Sequence, residues 1–302
     1  QNVTVKDGKI KIDELLCGNY EVKEISAPNG YVLNTNTFTV KVEKDKTSSL
    51  NIVNQEPKGK ITLTKEIDTS KTNNLKGDAS CEGVTFGLYA NETIKNKAGT
   101  KTYYQKNDLV SKKKTDANGK IEWDGLPLGN YYIQEIKTND SLVYNDQKIN
   151  VSIEYENQTV SKIIKSAKST NRVNMQKLEV FKSGEREGIS GVVKGLQGAE
   201  FTWKLKSEVD HVGWDNAQTY AVITTNENGR AVTGYLPYGK YLVRETKTPK
   251  DYMTAPDFTV SVTKDSTEYP SIEQIKLIGV NNKPFASYVR LVKVDDETGK
   301  RE

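Results

Sequence analysis

The chain has 302 residues, and its 44 lysines and arginines against 40 aspartates and glutamates leave a formal charge of +4. Apolar residues make up 35% and charged residues 28%, a balance that excludes one large core and fits several small domains with extensive surfaces. The two signs of charge are interleaved, no run of eighteen apolar residues occurs, and there are one histidine and two cysteines. A nucleic-acid surface, a membrane-inserted segment, a bound metal or other cofactor and a disulfide framework are therefore not expected.

In chain order, a turn and short strand (KDGKIKIDELLC, 6–17) lead into GNYEVKEISAPNGY (18–31), FTVKVEKD (38–45) and then NIVNQEP, which carries Asn54. KITLTKEID (60–68) alternates apolar and polar residues up to Lys65, the period-2 pattern of a half-buried strand. GVTFGLYANE (83–92) and KTYYQKN (101–107) follow, and then DANGKIEWDGLPL (116–128) and GNYYIQEIKT (129–138) restate the opening phrases. QKINVSIEYE and KSTNRVN, with Asn171, close this stretch. The order then repeats as KLEVFKSG with Lys182, AEFTWKLKSE, TYAVITT, NENGRAVTGYLPY, GKYLVRETKTPKDY, FTVSVTKD and GVNNKP with Asn281. A last phrase, VRLVKVDDETGK (289–300), carries Lys293.

Glu24, Glu135 and Glu245 are 111 and 110 residues apart, and Lys65, Lys182 and Lys293 are 117 and 111 apart. Asn54 and Asn171 each precede the next lysine by 11 residues, and Asn281 precedes it by 12. Such a period means tandem domains. Their short strands, rich in β-branched and aromatic residues and separated by Asn-Gly and Gly-Lys turns, predict antiparallel β-sandwiches of immunoglobulin size, with no long helical stretch.

The phrases LVKVDDETGK, GVTFGLYANE, GAEFTWKL, DANGKIEWDGLPLGNYYIQE and the recurring YxVxExxxPxxY resemble Cna B-type domains, also called SpaA-like or prealbumin-like domains, the stalk modules of Gram-positive surface adhesins and sortase-assembled pilins. The resemblance covers nearly the whole chain: the C-terminal part of one domain over 1–56, complete domains over 57–172 and 173–283, and the first strand of another over 284–302. It implies an all-β fold of tandem immunoglobulin-like sandwiches and, in each domain, a self-formed isopeptide bond between a lysine of the first strand and an asparagine of the last, promoted by a buried glutamate. Carried onto this sequence, the sets are Lys65, Glu135 and Asn171, and Lys182, Glu245 and Asn281. Glu24 with Asn54, and Lys293, are parts of two further sets.

Two assignments have neighbours that compete. Asn174 is the fallback for Asn171, because SKIIKSAKSTN departs from the apolar run before Asn54. Asn282 adjoins Asn281 and faces the other way in a strand; Asn281 is preferred because Val280-Asn281 matches Val53-Asn54. Phe86 and Phe201 are the candidates for an apolar cover over the two sites.

The residue types suit the chemistry. A lysine amine, protonated in water up to a pKa of about 10.4, becomes a nucleophile when burial disfavours its charge. The same burial raises a glutamate, which can then give and take a proton. Folding supplies the orientation. Covalent closure of first and last strands would leave a tether that force cannot peel open, and scarcity of cysteine fits that role.

The remaining features carry weaker signals. Cys17 takes the place of the Pro of the LPLG and LPYG turns, and Cys81 lies after a first strand; both are read as unpaired thiols, with a disulfide between them as the alternative. His211 lacks a motif that would make it catalytic, and no external turnover is expected. An alternative to the stalk is an adhesive module in which Trp203, Trp214 and Tyr220 grip a host matrix protein or glycan. The neighbouring domains of the same surface protein are the expected partners. The resemblance implies an extracellular, cell-wall-anchored location; no LPxTG signal occurs, so anchoring would come from sequence elsewhere. A pairing of Lys293 with Glu24 and Asn54 of a second molecule would be two strands short of a domain.

Overall fold

A computed structural model describes residues 1–184, 194–264 and 276–284 of the chain. Lys293 and the strand expected around it lie outside the described residues. The fold is a tandem of β-sandwiches, each with one pairing that is not antiparallel: its first and last strands run side by side in the same direction.

The middle sandwich packs a three-stranded sheet, in the order Lys162–Arg172, Lys58–Asp68, Lys120–Leu126, against a four-stranded sheet, Ile149–Ile153, Gly129–Lys137, Thr85–Ala90, Leu109–Lys114. Alternation explains which residues face the gap between them. In Lys58–Asp68 the inward positions are Ile61, Leu63 and then Lys65. In Gly129–Lys137 they include Tyr131, Ile133 and then Glu135. In Lys162–Arg172 they include Ala167, Ser169 and then Asn171. Two apolar or small residues thus precede each buried polar one along its strand. Trp123, Phe86, Leu88 and Val173 fill the space around them.

The C-terminal sandwich repeats the plan. Leu178–Gly184 pairs with Arg230–Val232 and, in parallel, with Lys276–Asn282; the facing sheet runs Thr219–Thr224, Glu200–Leu205, Gly239–Lys247, Phe258–Val262. Its core contains Leu178, Val180, Phe201, Trp203, Tyr241 and Val243. After Glu200–Leu205 the chain makes a helix, Lys206–Val212, where strand had been expected to continue through KSE. Seven residues are too few to display a 3.6-residue period, and the helix is braced by a Lys206–Asp210 ion pair of 2.7 Å one turn apart.

The N-terminal segment holds one hairpin, Gly18–Lys23 with Thr37–Val42. It corresponds to the hairpin of Gly129–Lys137 with Ile149–Ile153 in the middle sandwich. In all three copies the tyrosine two residues after the turn glycine donates to the carbonyl four residues back: Tyr20 to Leu16 at 2.8 Å, Tyr131 to Pro127 at 2.8 Å and Tyr241 to Pro237 at 2.7 Å. This equivalence corrects one expectation, since Leu16, not Cys17, occupies the proline position. Cys17 and Cys81 are both free.

The segments are joined by specific hydrogen bonds. Gln158 of the middle sandwich receives the Ala27 N–H on its side chain and the Leu33 N–H on its carbonyl, each at 2.8 Å. At the next joint Tyr238 turns both backbone groups toward the preceding sandwich, its N–H to Asn174 O at 2.7 Å and its carbonyl to Asp78 N–H at 2.9 Å. Met175–Gln176 and Leu236–Pro237 form a short antiparallel pairing there, and Ser207 donates to the Asp78 carboxylate at 2.6 Å.

Candidate functional site

Each complete sandwich brings a lysine, a glutamate and an asparagine together between its sheets, and the two sites share one register. Lys65 lies opposite Ser169 in the parallel pairing, and Lys182 lies opposite Val280. The buried asparagine is two residues further along in both cases, Asn171 and Asn282. Glu135 pairs across its own sheet with Phe86, and Glu245 pairs with Phe201. The glutamate comes from the four-stranded sheet and the other two groups from the facing sheet, so the site spans the core.

In the middle sandwich Lys65, Glu135 and Asn171 are 2%, 2% and 1% exposed. Asn171 Nδ2 donates to both carboxylate oxygens of Glu135, at 3.0 and 2.8 Å. Lys65 Nζ donates to the backbone carbonyls of Glu66 and Ser169 at 3.2 and 3.3 Å. Asn171 Oδ1 is buried without a hydrogen-bond partner, an expensive state for a carbonyl. Burial brings the Lys65 pKa down to about 8 against the opposing charge of Glu135. Burial likewise holds the Glu135 carboxyl above its ordinary range, opposed first by the Asn171 hydrogen bonds and then by Lys65. Asn174, the fallback, is not at the site: its side chain donates to the carbonyls of Asp140 and Leu142, at 2.7 and 3.3 Å.

The C-terminal sandwich corrects the choice between neighbouring asparagines. Asn282, not Asn281, is buried with Lys182 and Glu245. Its Nδ2 lies 3.1 Å from each Glu245 oxygen, and its Oδ1 accepts from Lys182 Nζ. The amine also meets Glu245 Oε1 at 3.2 Å, with both side chains fully enclosed. Asn281 faces outward and accepts from Ser183 Oγ at 3.1 Å. Strand alternation gives the reason. Val280 points inward while Val53 is 74% exposed, so the two valines face opposite ways and matching them misplaces the asparagine by one residue. Burial lowers the Lys182 pKa, with the Glu245 charge opposing it. The ring of Phe201 lies beneath the amine, its centroid 5.7 Å from Nζ.

The N-terminal segment holds the same glutamate–asparagine pair. Asn54 Nδ2 donates to both Glu24 oxygens at 2.8 Å and to Val32 O at 3.2 Å. Among the described residues no lysine bonds this pair.

The repeated Asn-Gly turns position the lysines. Gly119 and Gly229, at φ +72° and +74°, each accept the N–H of the lysine on their carbonyl at 2.7 Å. A Cβ on Gly119 would stand 2.7 Å from Lys65 O, and one on Gly229 would stand 2.4 Å from Lys182 O. Glycine is required there by conformation and by space.

The other singled-out residues lie apart from these sites. Trp203 is fully buried in the C-terminal core. Tyr220 packs edge-on against Tyr241. Trp214 is half-buried, with Arg244 4.1 Å and Lys204 5.0 Å from its ring. Each of these aromatics thus has intramolecular partners. His211 is exposed on the last turn of the helix. No cluster of metal-ligating side chains occurs among the described residues.

The SpaA prealbumin-like fold domain model matches residues 1–56, 59–168 and 190–276, and the chain belongs to that family. Among solved structures it is similar to the Bacillus anthracis TIE protein, at 25% identity and a TM-score of 0.55, over 89% of this chain and 42% of that one. The chain therefore spans less than half the length of that relative. Further matches are a streptococcal ancillary pilin (19% identity, TM-score 0.29, 90% of this chain and 77% of that one) and GBS52, the minor pilin of Streptococcus agalactiae (17%, TM-score 0.30, 78% and 100%). No curated protein matches significantly.

Proposed function

We propose that the chain is a stalk segment of a Gram-positive surface adhesin or pilus, and that its two complete sandwiches each close a lysine–asparagine isopeptide bond without an external catalyst. The observation that carries this reading is the common register of a buried lysine, glutamate and asparagine in both sandwiches. Burying three polar groups, two of them ionisable, is unfavourable unless the arrangement is used or fully paired. Membership of the family and the pilins among its structural matches agree with a surface location.

The step balances as a transamidation. The neutral amine of Lys65 or Lys182 attacks Cγ of Asn171 or Asn282, forming the Nζ–Cγ bond. Glu135 or Glu245 takes the proton released by the amine and delivers one to Nδ2, the Cγ–Nδ2 bond breaks, and ammonia leaves. The glutamate ends as it began, and the domain reacts once, on itself. The bidentate hydrogen bond from Nδ2 to the carboxylate already places the proton donor on the leaving nitrogen. Enclosure of the amine supplies the uncharged nucleophile.

The test is the intact mass of the denatured, reduced chain. Each bond removes one ammonia, about 17 Da. A deficit of two ammonias, with one restored by Glu135→Ala and the other by Glu245→Ala, supports the reading. A mass equal to that of the unmodified sequence removes it.

A further inference from the structure

We infer that Asn145, and Asn34 in the N-terminal copy, is a positioning residue that locks the glutamate onto the asparagine-bearing strand, and that its replacement by Ala255 leaves the C-terminal site without this lock. The inference rests on the self-crosslinking reading above.

Glutamate and asparagine stand on strands of opposite sheets, so their separation changes with any shift of one sheet over the other. The loop after the glutamate strand spans that gap. In two copies the residue ten positions beyond the glutamate donates its backbone N–H to the carboxylate, Asn34 to Glu24 and Ala255 to Glu245, each at 2.7 Å, and at the same offset the Asn145 N–H acts on Glu135 in the same sense, favouring its carboxylate. In every copy the same loop also holds the carbonyl just after the asparagine. Val32 N–H reaches Gln55 O at 2.8 Å, Val143 N–H reaches Arg172 O at 2.8 Å, and Met253 N–H reaches Lys283 O at 2.9 Å.

The copies differ on the other side of the asparagine. Asn34 Nδ2 donates to Val53 O at 3.2 Å, and Asn145 Nδ2 donates to Thr170 O at 3.0 Å, the carbonyls immediately before Asn54 and Asn171. Their Oδ1 atoms accept from the N–H two residues on, at 3.1 Å in both cases, which fixes the side chain in a turn. One residue therefore grips the carboxylate with its backbone and the acceptor strand with its side chain. Asn54 and Asn171 are pinned on both flanks. Ala255 keeps the backbone contact and has no side-chain donor for the corresponding carbonyl of Asn281.

Three variants of the full chain, Asn145→Asp, Asn145→Ser and Ala255→Asn, test this. Asp keeps the turn acceptor and loses the donor; Ser keeps a shorter turn acceptor and cannot span the gap. Each chain is made by cell-free synthesis and quenched at intervals in acidic denaturant, and ammonia loss is read on the peptides spanning each site. Parallel samples are treated with protease to follow the folded fraction. Both Asn145 variants are expected to lose ammonia from the middle sandwich about tenfold more slowly, with the rise of the protease-resistant fraction unchanged and the C-terminal site unaffected. Ala255→Asn is expected to speed ammonia loss in the C-terminal sandwich. A purely structural role would delay folding and ammonia loss together, and would overturn the inference, as would Asn145→Asp at the parent rate. If Asn145 variants fail to fold, Ala255→Asn at the parent rate overturns it alone. Absence of ammonia loss from the parent chain removes the self-crosslinking reading itself, an outcome distinct from a parent that reacts and variants that match it.

Discussion

The middle and C-terminal sandwiches hold the same three residue types in the same register, yet the amines are held differently. Lys182 contacts both Glu245 and Asn282, whereas Lys65 rests on the carbonyls of Glu66 and Ser169. Asn282 Oδ1 has the amine as its partner, while Asn171 Oδ1 has none. Burial lowers both amines, Lys65 to about 8, but only Lys182 lies directly against the carboxylate that would take its proton in the proposed step. The difference shows that strand register fixes which residues meet, and that local hydrogen bonds fix where the amine is aimed.

The largest effect expected from breaking this comparison is the loss of one closure. The lysine and asparagine of the C-terminal pair are 100 residues apart in sequence. By the chain-entropy estimate for a covalent loop of that size, Glu245→Ala should cost that sandwich about 4.7 kcal/mol, seen as a fall in its unfolding temperature of about 20 °C. Equal unfolding temperatures in parent and variant would contradict closure. Asn282→Ala should match Glu245→Ala in melting and in lacking the C-terminal ammonia loss relative to its own sequence mass, while Asn281→Ala should keep the parent's deficit of two ammonias; the opposite result would reinstate the outward-facing residue.

A smaller effect is the pH dependence of ammonia loss from the newly folded middle sandwich. Glu135 is raised and Lys65 lowered, so over an intermediate range the pair shares one proton, and in the proposed reaction the carboxyl can then act as an acid beside a neutral amine. On the acid side a second proton binds and the amine stays charged. Above about 8 the shared proton leaves, and the carboxylate has only the proton released by the attacking amine to pass on. The rate constant should therefore pass through a maximum and fall on both sides; a rate that keeps rising beyond pH 9 would show that the acid is dispensable. Smaller again is the contrast between two glycines of that sandwich with positive φ, Gly125 within the strand Lys120–Leu126 and Gly119 in the turn before it. Gly125 has φ +73° and open space around it, so Gly125→Ala should cost about 1 kcal/mol. Gly119→Ala adds a collision with Lys65 O and should cost at least twice that in a denaturant titration. Equal costs would mean that the turn does not hold the lysine.

Much of this arrangement is legible in the sequence because period-2 alternation and a repeat of about 110 residues constrain each other. Lys65, Glu135 and Asn171 each follow inward residues on their own strand, and their copies recur at matching intervals. Asn282 was missed because two adjacent asparagines offer two registers, and Val280 resembles Val53 in type but not in direction. Asn145 and Asn34 carry no motif of their own. Their role depends on a loop that crosses between sheets, and only the shared ten-residue offset from the glutamate could have marked them. The helix Lys206–Val212 is too short to announce itself, and the aromatics Trp203 and Tyr220 could not be told from surface residues until the strands were paired.

Tyr238 meets the preceding sandwich through its backbone N–H and carbonyl and through its side chain, which packs against that sandwich's core. A joint of this kind is tied to one residue on three counts. Its neighbours are constrained too, because a Cβ on Gly77 would strike Tyr238 O at 2.2 Å and one on Gly239 would stand 2.8 Å from the Asp78 carboxylate. Loops and surfaces away from the joint are free to drift apart in sequence between copies, while the tyrosine and the two glycines hold the contact between them.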